Sequence, residues 1–151
     1  MLTKLEQIIT EIGDLNSKLV LLVGASRSGK TKLLRELGTK LNIEPLNVGL
    51  ELGRRLAATP MNKRAFSAGE LMREITDKVS TDSPLLLDNL ELLFEKSLQI
   101  NPLELVKRLA HSKRIVAVWP GELRNNRLIY AERDHPEHRD YSREGVVSLE
   151  I

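Results

Sequence analysis

The sequence contains no cysteine. Disulfides and thiolate zinc sites are therefore excluded, and a reducing compartment is the natural setting. Aromatic residues are scarce: two Phe, two Tyr and one Trp among 151 residues. A platform of stacking rings for single-stranded nucleic acid is hard to build from so few. Long hydrophobic runs are also absent, and none approaches the roughly 20 residues that span a bilayer. Neither sign of charge dominates. With 23 basic and 21 acidic residues the net charge is +2, which points to no polyanionic partner. Met1 to Lys4 lead into an amphipathic pattern rather than the apolar centre of a signal peptide, so the expected location is the cytoplasm.

What is present suffices for one domain, 1–151, because a chain of about 150 residues buries roughly 70% of its unfolded surface. Leu2, Leu5, Ile8, Ile9 and Ile12 recur at helical spacing, and Gly13 ends that helix. Residues 18–23 (KLVLLV) form a short apolar run, as in a strand buried on both faces of a parallel sheet. Leu33, Leu34, Leu37 and Leu41 mark the next helix. Residues 45–52 (PLNVGLEL) read as a second strand, and 53–63 as a basic, less regular segment. Ser67 and Glu70 suggest a capping box ahead of a helical face at Leu71, Met72, Ile75 and Val79. Residues 84–88 (PLLLD) are a third strand, apolar until its acidic end.

Asn101-Pro102-Leu103-Glu104 is a helix start, with Asn as the cap and Pro at the first position; that helix is expected to run to about His111. Residues 114–119 (RIVAVW) read as a fourth strand, stopped by Pro120-Gly121, and 127–131 as a fifth. Residues 134–144 look like a charged, solvated loop, and Val147, Leu149 and Ile151 alternate as in a last strand. Strands alternating with helices indicate an α/β domain with a mostly parallel sheet.

Residues 24–31, Gly24-Ala25-Ser26-Arg27-Ser28-Gly29-Lys30-Thr31, match GxxxxGK[ST] between an apolar strand and a helix. In that context the glycines let backbone N–H groups surround phosphates, and the helix N-terminus adds donors. Lys30 is expected to reach the β and γ phosphates, and Thr31 to coordinate Mg²⁺. The expected cofactors are ATP and Mg²⁺. The acidic end of the third strand, Asp88, fits the second element of such sites, where it holds the Mg²⁺ hydration shell; a turn or cap Asp is the plainer reading. The implied architecture is a three-layer αβα P-loop NTPase fold with a five-stranded sheet.

A catalytic base is less evident. Many P-loop ATPases carry Glu directly after the Walker B Asp, and here the position holds Asn89, which cannot take a proton. Glu91 and Glu51 are candidate substitutes, the latter by analogy with RecA-type ATPases that use a Glu on a neighbouring strand. Each also reads as a surface carboxylate. Hydrolysis is therefore expected to be slow or partner-dependent. Arg54, Arg55, Arg124 and Arg127 fall near strand ends, where an arginine finger or simply a basic surface would lie. Residues 119–122 (Trp-Pro-Gly-Glu) occupy the strand end where AAA-type proteins carry sensor residues, without the usual Asn, Thr or Ser. His135 and His138 flank Pro136 and read as loop residues rather than metal ligands.

The segments GASRSGKT (24–31), PLNVGLELGRRL (45–56), PLLLDNLELLF (84–94) and RIVAVWPG (114–121) together resemble the BrxF family, small P-loop proteins of type 3 BREX phage-defence systems. The resemblance spans nearly the whole chain. It implies an accessory ATPase-like subunit acting with a large ATPase, a methyltransferase and a phosphatase-like protein, with homo-oligomers in view and any DNA contact indirect. It also implies an AAA-like core without the helical lid domain, in which the fourth strand inserts between the P-loop strand and the Walker B strand. Two other functions fit the motif: a small-molecule kinase, with 53–63 as a lid, and a nucleotide-binding assembly module without turnover.

Overall fold

The computed structural model describes residues 1–79, 82–131, 134–143 and 145–151. The chain begins with α1 (Leu2–Glu11), continued by a 3₁₀ turn over Ile12–Asp14, and then β1 (Leu19–Val23). Next come α2 (Lys30–Leu41), β2 (Leu46–Asn47), α3 (Val48–Ala57) and α4 (Arg64–Asp77). They are followed by β3 (Leu85–Asp88), α5 (Pro102–Leu109) and β4 (Ile115–Val118). The last four strands are β5 (Glu122–Arg124), β6 (Arg127–Tyr130), β7 (Arg139–Ser142) and β8 (Val147–Glu150).

Five strands form one sheet in the order β2-β3-β4-β1-β8, and all four pairings are parallel. The fourth strand thus lies between β1 and β3. Alternation along each strand divides the core. Leu19, Leu21, Leu85, Leu87, Ile115 and Ala117 face Leu52, Leu56, Met72, Ile75, Leu103 and Val106 of α3, α4 and α5. Val20, Leu22, Leu86 and Val116 face Leu5 and Ile9 of α1 and Leu33, Leu34 and Leu37 of α2. Helices therefore cover both faces, which is why the central strands read as continuous apolar runs. Among the described residues no helix is long and apolar enough to cross a membrane.

The second predicted strand is corrected. Only Leu46 and Asn47 are extended, and residues 48–57 form α3. The alternation of Leu46, Val48, Leu50 and Leu52 suggests a strand, but Val48, Leu52 and Leu56 are the buried set, at helical spacing. Asn47 starts the helix by accepting a hydrogen bond from Leu50 N at 3.0 Å. The segment 53–63 is accordingly the second half of α3 and a 3₁₀ turn at Met61–Lys63, not an irregular lid. The capping box is also absent: α4 begins at Arg64, three residues before Ser67, with no side-chain cap. At α5 the expected cap is present, with Asn101 Oδ1 accepting from Glu104 N at 3.1 Å, and the helix ends at Leu109.

The predicted fifth strand exists as β6, but it belongs to a separate antiparallel sheet of order β5-β6-β7. The fifth strand of the parallel sheet is β8. The charged stretch after Asp134 is not wholly loop, because β7 pairs with β6 through Tyr130↔Arg139 to Arg127↔Ser142; Glu144, the end of the predicted loop, lies outside the described residues. This small sheet is fixed to the core by aromatic side chains. Phe94 stacks on Tyr130 with centroids 4.0 Å apart and meets Trp119 edge-on at 5.3 Å. Trp119 in turn meets Tyr141 edge-on at 5.9 Å. Four of the chain's five aromatic residues are thus spent at this one junction; Phe66 is exposed.

Candidate functional site

In a parallel sheet every strand ends at the same edge, and β1, β3 and β4 are neighbours there. The loop after β1 turns tightly, with Ser28 N donating to Ala25 O at 3.1 Å. Arg27 has a left-handed φ of 65°. Gly29 takes φ +104° as the residue before α2, a conformation side chains rarely adopt. No side chain caps the start of α2. Its first backbone N–H groups are therefore available donors, carrying the partial positive charge of the helix end. Ser28 Oγ is buried and has no hydrogen-bond partner, which sets it apart among the described residues. A buried orphan hydroxyl in such a loop suits an anionic oxygen.

Lys30, the first residue of α2, is only 9% exposed. Its Nζ donates to Gly24 O at 2.8 Å, Trp119 O at 2.9 Å and Gly121 O at 3.2 Å. An ammonium group has three donors, and all three are engaged. Two of the acceptors belong to the connection between β4 and β5. Burial pushes the Lys30 ammonium below the ordinary lysine range, against the opposing pull of Glu122, then Glu91, then Asp88.

Thr31 Oγ1 donates to Asp88 Oδ1 at 3.2 Å. The same carboxylate oxygen accepts from Asn89 N at 2.9 Å. A hydroxyl and a carboxylate brought together from α2 and β3 are hard oxygen ligands of the kind Mg²⁺ takes alongside phosphate and water oxygens. The donor set therefore fits that ion.

The candidate bases are scattered. Asn89 sits at φ 57°, and its carbonyl accepts from Gly49 N at 3.1 Å, tying the end of β3 to α3. Glu91 lies in the 3₁₀ segment Leu90–Phe94, and its charge acts on both Lys30 and Tyr130. Glu51 is not at a strand end: it lies in α3, and its carboxylate pairs with Arg55 at 3.1 Å. Of the arginines near strand ends, Arg127 pairs with Asp140 and Arg124 with Glu122, the latter at 2.8 Å. His138 Nδ1 lies 3.1 Å from Ala131 O, and His135 Nδ1 accepts from Glu137 N at 3.0 Å.

A cavity of about 140 Å³ opens over the loop, lined by Gly24, Ser26 and Lys30 on one side and by Gly121, Glu122 and Arg124 on the other. The three-stranded sheet thus forms a wall of the site, which the strand pattern alone did not reveal. One signal was available: Asn125 and Asn126 both take left-handed φ, at 51° and 64°, between Arg124 and Arg127. Asn tolerates that conformation, so two in succession between short segments are compatible with a tight turn. A larger cavity, about 760 Å³, is bordered by Asp88 and Asn89 together with Arg35, Thr39 and Asn47.

No protein-family model matches the chain, and neither does any curated protein or solved structure.

Proposed function

We propose that this chain is a P-loop protein of the three-layer αβα NTPase type that binds Mg-ATP at residues 24–31 and hydrolyses it slowly or with a partner's help. The observation that carries the reading is the contact of Thr31 with Asp88 at 3.2 Å, directly beside the buried Lys30. Loop, lysine, hydroxyl and carboxylate converge at the C-terminal edge of a parallel sheet, where open α/β folds hold their ligands. The backbone N–H groups of the loop and of the α2 terminus suit the β phosphate, and Lys30 suits the β and γ phosphates. Thr31 and Asp88 would hold Mg²⁺, which would supply positive charge to neutralise the phosphates. The insertion of β4 between β1 and β3 supports the AAA-like version of this core.

The resemblance of residues 24–31, 45–56, 84–94 and 114–121 to the BrxF family supports a place in bacterial phage defence. There the chain would act in the cytoplasm beside a large ATPase, a methyltransferase and a phosphatase-like protein. A second reading, a nucleotide-binding assembly module without turnover, is favoured by Asn89 standing where a base is common. Mg-ATP binding and phosphate release by the purified protein, beside Lys30→Ala, separate the two. Release that Lys30→Ala abolishes supports an ATPase. Binding without release supports the assembly module. No binding, alone or with partner proteins, would defeat the proposal.

A further inference from the structure

We infer that Glu122, the first residue of β5, is the carboxylate that holds the attacking water and accepts its proton, with Arg124 positioning it. This rests on the ATPase reading above. Each of the other candidates has a structural difficulty. Asn89 cannot accept a proton. Glu51 lies in α3 and does not line the cavity over the loop. Asp88 Oδ1 already accepts from Thr31 and Asn89 N, as expected of a group serving the metal. Glu91 acts on Lys30 from a distance but is absent from the walls of the cavity over the loop. Glu122 does line that cavity, facing Gly24, Ser26 and Lys30.

The backbone holds Glu122 there firmly. It pairs with Ile129 in the β5–β6 ladder. The residue before it, Gly121, approaches β6 so closely that a Cβ would stand 1.7 Å from Ile129 O. Trp119 Nε1 donates to the same Ile129 carbonyl at 3.3 Å. The carboxylate is therefore presented to the phosphate loop by a hydrogen-bonded hairpin welded to the core, not by a free loop. Arg124 Nε holds Glu122 Oε2 at 2.8 Å, and both side chains remain solvent-accessible, at 51% and 37%. Water can thus reach the carboxylate. The cavity of about 140 Å³ has room for a few water-sized groups.

In the step, the water oxygen forms a bond to the γ phosphorus of ATP. The bond from that phosphorus to the β–γ bridging oxygen breaks, and its electron pair leaves with ADP. The water proton passes to the Glu122 carboxylate and from there to the inorganic phosphate. Water and ATP are consumed, ADP and phosphate are produced, and the carboxylate is regenerated.

The test uses the full chain under single-turnover conditions with Mg-ATP. Phosphate release, nucleotide affinity from a fluorescent ATP analogue, and melting temperature are measured together. Glu122→Gln should bind the analogue within about threefold of the parent and melt normally, yet release phosphate roughly 10²- to 10⁴-fold more slowly, the usual size of a general-base effect. Intact ATP should be recoverable from its complex. Under turnover kcat should fall and KM should not, and Glu122→Asp, which keeps the carboxylate, should recover part of the rate. Arg124→Ala should lower kcat less than Glu122→Gln, with Arg124→Lys intermediate. Release by Glu122→Gln indistinguishable from the parent overturns the assignment. So does a parent that binds ATP but releases no more phosphate than Lys30→Ala, which leaves ATP binding standing. A parent that binds no nucleotide overturns both readings.

Discussion

Thr31 and Asp88, 57 residues apart in the chain, share a hydrogen bond of 3.2 Å between hydroxyl and carboxylate. One stands in the first turn of α2 and the other at the end of β3, so the contact exists only because β4 holds β1 and β3 in register. Two hard oxygen atoms are thereby brought together.

Asp88→Asn should therefore raise the Mg²⁺ concentration needed for nucleotide binding by roughly 10- to 100-fold, the usual cost of losing a group that orders a metal's surroundings. The amide oxygen can still accept from Thr31, so stability should change by less than about 1 kcal/mol. A Mg²⁺ titration of ATP-analogue binding and a urea melt check the two halves. An unchanged Mg²⁺ requirement would remove Asp88 from the site.

Lys30 carries a pH dependence of unusual sign. Burial lowers its pKa below the ordinary lysine value. Between the lowered folded value and the unfolded one, the native state binds fewer protons than the unfolded chain. Stability from this group should then rise with pH across that window. Phosphate affinity should fall over the same window, because the neutral amine no longer offers a charge. Parallel melts and ATP-analogue titrations at alkaline pH would show the opposite slopes. In Lys30→Met the affinity slope should vanish and the rise in stability should be lost, leaving the fall with pH that Tyr130 and Tyr141 produce because burial raises their pKa values. Affinity should drop by about 1.5–3 kcal/mol, roughly 10- to 100-fold.

Gly121→Ala tests how the small sheet is seated. The added Cβ would meet the backbone of Ile129, which has no flexible end to move aside. A cost of roughly 1–3 kcal/mol is expected for such overpacking. The hairpin should shift from the loop at 24–29, and Lys30 should lose its Gly121 acceptor. A urea melt followed by the emission of the single tryptophan, Trp119, reads the change. An unaffected midpoint would mean that the hairpin is not tightly docked.

Much of this was legible in the chain. The runs at 19–23, 85–87 and 115–118 are apolar throughout because both their faces are covered, and the loop motif between β1 and α2 has a fixed spacing. Asn101 with Pro102 announced α5 through purely local chemistry. Residues 45–52 misled because alternation and helical spacing coexist there, and the Asn47 side chain decides between them. The wall formed by β5, β6 and β7 was legible only at β6, read as a strand at 127–131, for a different reason. β5 and β7 are short and polar, and what seats the sheet is the meeting of Phe94, Trp119, Tyr130 and Tyr141, contacts that no local pattern records.

That seating leads to a last expectation, about motion. All three Lys30 donors are engaged by carbonyls, so the ammonium can reach a phosphate only by releasing at least one of them. Gly24 lies in the loop itself, whereas Trp119 and Gly121 lead into the small sheet, and their two bonds are the ones a phosphate beyond the loop would displace. Mg-ATP should therefore loosen the link between the loop and residues 119–121. Amide exchange at Trp119 and Gly121 should quicken on adding Mg-ATP while the β5–β6 ladder that carries Glu122 keeps its protection, and Trp119 emission should change with the same concentration dependence as binding. In Lys30→Met both responses should be absent even at ATP concentrations high enough to restore occupancy. Protection of β5 and β6 that increases with ATP would mean that the hairpin closes on the nucleotide instead, with Arg124 rather than the lysine linkage governing its position.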